Sequence, residues 1–479
     1  MERSVVQFGR LKHVWHLAVI GTMAGAMVYP ACLEAMGQQR QLLQIQQQLP
    51  SQQQQQQKKQ QQPPQQTQQE PQQESQQPAT ASSSTKVSRD LFAETARMRS
   101  DLARYMYLKE VMQQLTREDR LIDQQLLASV EDELGLYNQA IYDFPFDNRV
   151  QTPVPLPSPV DWQPTSALDE IVKLAANRHI VMINEAHHDA HTRELTLELL
   201  PKLRAAGFNY FAAEALVNTD TDLMKRGYPI NSSGSQYLHE PLYGDIIRQA
   251  IKLGFQVVSY ESENDVLADR EEGQANLLYQ KVFAKDPKAK LFVHAGYAHI
   301  DKAPGNLGGT IKPMAMLLKQ LSGFDPLTID QTRWRDIGPM PDKDLYKRLT
   351  AQFPVTDPSV LISRQNGSVW SSDPDRHDVD VILPPPGHER RPHWLSLNGA
   401  RVPRVVSTDF CQSQLPCVVE AHYADESEDS IPADRYAFLT ASSINTLYLR
   451  PGQYRIVAKD REGHNLGQRN LTVEGTGSP

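Results

Sequence analysis

Between residues 178 and 215, apolar runs and polar interruptions follow one another at lengths that predict strand, loop, helix and strand in turn. Residues 180–183 are Ile-Val-Met-Ile, a short branched run of the length of a buried strand, and it stops abruptly at Asn184-Glu185-Ala186-His187-His188. Leu195, Leu199 and Leu203 then recur at helical spacing, and Gly207 supplies a stop. A second apolar run, 208–213, ends in Glu214. Acidic or imidazole groups therefore stand at both strand ends. Pro201 falls inside the helical pattern and predicts a kink or two shorter helices there.

The same alternation continues downstream. Ile246, Ile247, Ala250 and Ile251 form a helix face leading through Gly254 to a strand at 255–260, which ends at Glu261. Residues 270–281 read as a helix, and 291–293 as a strand entering His294-Ala295-Gly296-Tyr297-Ala298-His299. A helix at 314–321 and strands at 328–329, 360–363 and 379–383 follow, and Pro384 to Pro386 mark a boundary. Strands alternating with helices predict βαβ units, hence an α/β domain over 151–386 with a mainly parallel sheet and flanking helices. In such sheets ligands bind at the C-terminal strand ends. Four of these ends deliver Glu185 with His187 and His188, Glu214, Glu261, and His299. Glu261 is the weakest member, because Glu263 and Asp265 beside it suggest a solvated acidic loop. His191 and His294 read as secondary, His294 as a core residue.

The flanks have other patterns. Over 87–150, Leu91, Met98, Leu102, Tyr105 and Met106 share a helical face with Thr95, and Thr116 with Asp119 resembles a capping box before Leu121, Leu127, Val130 and Leu134. A helical hairpin packed on the main domain is the simplest expectation, a self-association helix the sharper one. Residues 153–164 hold five prolines and predict an extended connector. Over 391–479 short alternating strands are broken by turns, with strands at 453–458 and 471–473 about a hairpin at 460–463, predicting a small β-sandwich module. Cys411 and Cys417 there suit a short disulfide loop, the alternative being two free thiols.

Residues 37–86 are dominated by Gln with Pro clusters and predict a disordered linker, with a coiled coil conceivable only over 37–48. Residues 1–36 carry Arg3, Arg10 and Lys12 before an apolar run at 14–31. That arrangement reads as a cleaved signal peptide, an uncleaved N-terminal anchor, or a lipidation site at Cys32. Each places the remaining chain outside the cytoplasm, in a periplasm or extracellular, with membrane association through the N-terminal segment.

Composition changes the picture little. Apolar residues make up 39% of the chain, a share lowered by the Gln-rich tract, and 49 basic residues against 57 acidic ones give a net charge of −8 without a basic field. A nucleic-acid partner is therefore not expected. No Gly-x-Ser-x-Gly elbow, Gly-rich phosphate loop or His-Glu-x-x-His helix occurs, and the α/β region holds no cysteine. Carboxylates beside imidazoles leave two chemistries: a divalent metal that activates water, or a carboxylate-oriented histidine acting as general base without one.

Several of these segments resemble one superfamily. Asn184-Glu185-Ala186-His187-His188 is similar to the Gly-Glu-x-(x)-His motif that opens erythromycin esterases, haem-binding ChaN-type lipoproteins and TraB/Tiki proteins, with Asn184 in place of the usual Gly. Thr192-Arg193-Glu194 resembles the Thr-Arg-Glu of the esterase branch, and Phe211-Ala212-Ala213-Glu214 its Phe-Ala-x-Glu. Arg270-Glu271 with Gln274-Ala275-Asn276 looks like the Arg-Asp-x-x-Met-Ala-x-Asn helix, and the stretch from Val293 to Gly309 like the Gly-x-x-His strand end and glycine-containing loop of the TraB/Tiki branch. The likeness covers about 165–330. It implies an α/β fold and a hydrolytic site with His188, favoured over His187, as general base or metal ligand. Glu185 and Glu214 would orient it or share the metal, His299 would complete the site, and Arg193 and Arg270 would bind substrate. The metal set so implied is Glu185, His187, His188, Glu214 and His299, and the substrate a small-molecule or peptide ester or amide. The branches differ in cofactor: the esterases are held to need none, Tiki proteins use a divalent metal for proteolysis, and ChaN-type proteins bind haem, with Tyr297 a ligand in that alternative. A third expectation is a catalytically inert relative acting in interaction.

Overall fold

In the computed structural model of the protein, eight strands form one sheet in the order β1-β7-β8-β6-β2-β5-β3-β4. The structure describes residues 90–147, 149, 154–262, 264, 266–338, 341 and 343–475. Residues 1–89, on which the expected export segment and Gln-rich linker fall, and Glu263 and Asp265 lie outside the described residues.

The central strands are β2 (Ile180–Glu185), β3 (Tyr210–Ala213), β4 (Gln256–Ser259), β5 (Leu291–Gly296), β6 (Leu327–Trp334) and β8 (Val379–Ile382). All pair in parallel, and β2 meets β5 in the register Ile180↔Leu291 to Glu185↔Gly296. At the far edge β7 (Ser359–Ser363) and β1 (Trp162–Ser166) are antiparallel. Pro164 sits in β1, the edge strand, where its missing N–H costs no interior ladder bond.

The six residues of β2 are all buried, which is why the run is continuously apolar rather than alternating. Val181 and Ile183 face one core with Phe211 and Phe292, covered by α5 (Ala167–Ala175), α6 (His191–Ala205) and α7 (Pro241–Lys252). Ile180 and Met182 face the other with Val293 and Ala295, under α8 (Leu267–Leu278) and α9 (Met314–Ser322). The two shorter helices expected around Pro201 are not found. Helix α6 runs through that proline, held by buried Leu195, Leu199, Leu200 and Leu203, so tertiary packing outweighs the lost backbone bond.

The helical region is divided differently from its apolar stripe. Ser100 caps a new helix, splitting the first pattern into α1 (Leu91–Ala96) and α2 (Asp101–Val111). Thr116 accepts from the Asp119 N–H at the start of α3 (Arg117–Glu133), and α4 (Tyr137–Asp143) follows. The apolar side of α1, α2 and α3 does not lie on the large sheet, whereas Tyr137 of α4 joins that sheet's core. Leu102, Leu108, Leu127 and Val130 share one core with Val419, Phe438 and Ile456 of the C-terminal module.

That module has a four-stranded antiparallel sheet, β11-β10-β13-β14, and the pair β12-β9. Its strands are β9 (Val402–Ser407), β10 (Cys417–Tyr423), β11 (Asp434–Phe438), β12 (Ile444–Leu449), β13 (Gly452–Lys459) and β14 (Asn465–Val473). Val406, Leu447 and Leu449 of the pair enter the same core. The turn at 460–463 closes with a Gly463 N–H to Asp460 carbonyl bond, and a disulfide joins Cys411 to Cys417. No helix of the described residues is long and apolar enough to cross a membrane.

Candidate functional site

Parallel pairing brings the C-terminal ends of β2, β3, β4 and β5 side by side. Glu185, the last residue of β2, is 1% exposed and has both oxygens engaged. Oε1 lies 2.8 Å from Nδ1 of His187, Oε2 accepts Arg193 Nε at 2.6 Å, and His294 Nε2 stands 3.1 Å from Oε2. Burial works to raise this carboxyl, but Arg193 and His294 outweigh it and hold it ionised, well below the usual range.

The His187 ring is wedged between aromatic walls. It stacks on Tyr237 at 4.1 Å and meets Tyr297 edge-on at 5.2 Å. On its third side is the backbone of Gly296, where an added Cβ would fall 2.4 Å from both Cε1 and Nε2 of the ring and 3.2 Å from Glu214 Oε2. Only a glycine allows the β5 strand end to approach so closely. With Nδ1 turned to Glu185, Nε2 has no hydrogen-bond partner among the described residues, and the ring keeps 8% of its surface open.

His188 faces another way. Its ring lies flat on Phe144 at 3.5 Å, Nδ1 is 3.2 Å from the Tyr297 hydroxyl, and Nε2 faces the Arg335 guanidinium at 3.5 Å. Burial and then Arg335 push its pKa well below the ordinary histidine value, so it is neutral. Tyr297 itself has φ of +41°, an uncommon backbone state for a non-glycine residue. Its carbonyl accepts from Asn184 Nδ2 at 3.1 Å, and the same amide nitrogen donates to Asp330 Oδ2 at 2.9 Å. Asn184 thus ties β2, β5 and β6 together behind the site.

Glu214, just after β3, accepts the Gly296 N–H through Oε2 at 2.5 Å and Arg270 Nη2 through Oε1 at 2.7 Å. Burial opposes its charge, yet His299 and Arg270 lower its pKa to about 2. Arg270 is buried, and it grips Glu261 through Nε at 2.8 Å and Nη2 at 2.5 Å. Glu261 is 1% exposed and bonded also to Gln274, so the solvated loop expected there is replaced by a bidentate ion pair. His299 lies between Glu271, 2.5 Å from Nδ1, and Glu214, 3.4 Å from Nε2. Burial disfavours its charge, but those two carboxylates raise its pKa above the ordinary value.

Glu185, His187, Glu214 and His299 therefore converge around Gly296, with His188 one ring removed. Arg193 and Arg270 are spent on carboxylates inside the protein rather than presented to a substrate. A shared metal fits this arrangement poorly, since the carboxylate oxygens that would ligate it already accept from arginine, histidine and backbone N–H groups. Among the described residues, acidic and imidazole atoms approach closely enough to share an ion at Asp101, Glu133 and His239 and at Asp460, Glu462 and His464, away from these strand ends. His294, expected in the core, is indeed buried but also touches Glu185 and bonds Thr196 Oγ1 at 3.1 Å. His191 stacks on Trp394 and pairs with Glu194.

Asp132, Tyr237, Glu240, Phe144 and Arg335 are the contributors that sequence reasoning does not find, and Glu271 stands in it only as the neighbour of Arg270 in a helix motif. Only Glu240 carries a local signal, standing before Pro241 as the N-cap of α7. Comparison with protein-family models, curated proteins and solved structures returned no match.

Proposed function

We propose that the protein is a hydrolase in which His187, oriented by Glu185, is the general base that activates water against an ester or amide carbonyl. The observation that carries this reading is the division of labour on one imidazole: Nδ1 is fixed by a carboxylate, and Nε2 is left without a hydrogen-bond partner among the described residues. A carboxylate at Nδ1 selects the tautomer whose Nε2 is a lone-pair acceptor and stabilises the imidazolium formed when it takes a proton. Water would give its proton to Nε2 while its oxygen adds to the carbonyl carbon. Collapse of the tetrahedral intermediate then releases the alcohol or amine, which receives the proton back from Nε2. Tyr237 and Gly296 keep the ring in plane for both transfers. No metal is required in this scheme, and His188, neutral and stacked away, is assigned to shaping the wall rather than to proton transfer. The N-terminal segment supports an exported hydrolase acting on a small-molecule or peptide substrate.

The test is a panel of aryl and alkyl esters and of peptides offered to the full-length protein, with and without a chelator, beside elemental analysis and a visible spectrum. Ester turnover unaffected by chelation is expected. A stoichiometric metal whose removal abolishes turnover would move the reading to a metal-dependent peptidase. A haem band without turnover would move it to a haem carrier.

A further inference from the structure

The helical region reaches into the site through Asp132, near the C-terminal end of α3. Its carboxylate is 1% exposed and accepts through both oxygens: from the Ala190 N–H at 3.1 Å and from Arg193 Nη1 at 2.7 Å. Arg193 in turn donates Nε to Glu185 at 2.6 Å and Nη2 to the His187 carbonyl at 3.1 Å. Glu185 holds Nδ1 of His187 at 2.8 Å. One buried chain of hydrogen bonds, charge-assisted at the Arg193–Glu185 pair, thus runs from α3 to the imidazole, and Asp132 also pins the loop that carries His187 and His188; burial pushes the Asp132 carboxyl well above its ordinary range, with the Arg193 guanidinium opposing that rise and Glu240 adding to it. Charge-assisted bonds are shorter and stronger than neutral ones and fix orientation as well as charge.

We propose that Asp132 is a positioning residue for His187, acting through Arg193 and Glu185, so that the N-terminal helices are part of the catalytic unit. The proposal rests on the hydrolase reading for its kinetic consequence, but the positioning itself is readable without turnover. Glu240 shares Arg193 Nη1 at 3.1 Å, yet its oxygens also accept the Tyr137 hydroxyl and the Tyr243 N–H, so it serves the start of α7 as well. Asp132 has no second duty of that kind outside the loop and the arginine. The remaining ionisable neighbours of His187 are Glu214, Tyr237, Tyr297 and His188, all supplied by the α/β region and unchanged by substitution in α3.

The experiment compares the full-length protein with Asp132→Asn and Asp132→Glu. An Asn has one acceptor oxygen and cannot serve both the Ala190 N–H and Arg193. Without the second acceptor Arg193 rests more heavily on Glu185 and the loop at Ala190 loses its tether, so the His187 ring resonances, followed by NMR, should shift relative to the unmodified protein. On an ester substrate kcat should fall roughly tenfold with KM nearly unchanged, the pattern of a lost transition-state interaction. Asp132→Glu, which keeps both acceptor oxygens, should restore most of both. Should Asp132→Asn not fold, Asp132→Ser, which keeps an acceptor for Ala190 and drops the one for Arg193, is judged by the same criterion. A folded variant whose His187 ring resonances are unmoved overturns the proposal. Shifted resonances in a protein that hydrolyses no ester support the positioning chain while the hydrolase reading fails.

Discussion

At Gly296 one missing methyl group decides whether the site exists. Its φ of −78° suits any residue, so only the contact with His187 requires glycine. Gly296→Ala should leave a folded protein with the imidazole displaced, lowering kcat/KM by roughly a hundredfold, since a shift of about an ångström is enough to misplace a base. Ester kinetics beside a thermal melt check this. Glu214 makes a pH prediction. Its folded pKa of about 2 lies below the unfolded 4.5, so its stabilisation is complete above the unfolded value and is lost as the pH falls toward 2. Glu214→Gln should therefore be less stable than the unmodified protein at neutral pH, with the gap closing as the pH falls from about 4.5 toward 2, which a series of melts from about pH 2 to 7 records. Asn184 shows how a departure from a resemblance can be structural: where a glycine was expected, an amide holds the Tyr297 carbonyl and Asp330.

Among the elements, the strands were the most legible. Runs such as 180–183 and 291–293 are apolar because both faces of the sheet are covered, and their ends carry the acids and histidines by the geometry of parallel pairing. The choice between His187 and His188 was not legible, because it depends on Phe144, Tyr237 and Arg335, which lie far away in sequence. Glu261 departs from its sequence expectation for a related reason: its acidic neighbours in sequence predict a solvated loop, while Arg270 on α8 makes it a buried ion pair. Helix α3 carries a further liability in Glu131. Burial, with Asp143 nearby, raises its carboxyl from 4.5 to about 9, against the weak pull of Lys109 at 3.9 Å. The folded state keeps that proton while the unfolded chain loses it above 4.5, so stability declines as the pH rises from there toward 9. Glu131→Gln should raise Tm at about pH 8, by the equivalent of roughly 1–3 kcal/mol, and give no gain near pH 4.

For the whole molecule, the helical region and the C-terminal module share a core, although some 280 residues of sequence, about the span from α3 to β10, separate them. Local patterns predicted each part and could not predict the pairing. Leu127 is fully buried in that shared core, so Leu127→Ala should cost about 2–5 kcal/mol and lower the melting of helices and module together. Separate transitions by far-ultraviolet and near-ultraviolet dichroism would contradict a common core. The same helical region supplies Asp132, Tyr137 and Phe144 to the strand ends, so loosening this core should also blunt the site.

The central claim is that His187 is the base and that it works without a metal. The most direct measurement is kcat/KM for ester hydrolysis by the chelator-treated full-length protein, by His187→Ala and by His188→Ala. The account predicts a loss of roughly 10²- to 10⁴-fold for His187→Ala and about tenfold or less for His188→Ala. A larger loss in His188→Ala, or activity that returns only with added divalent metal, would contradict it.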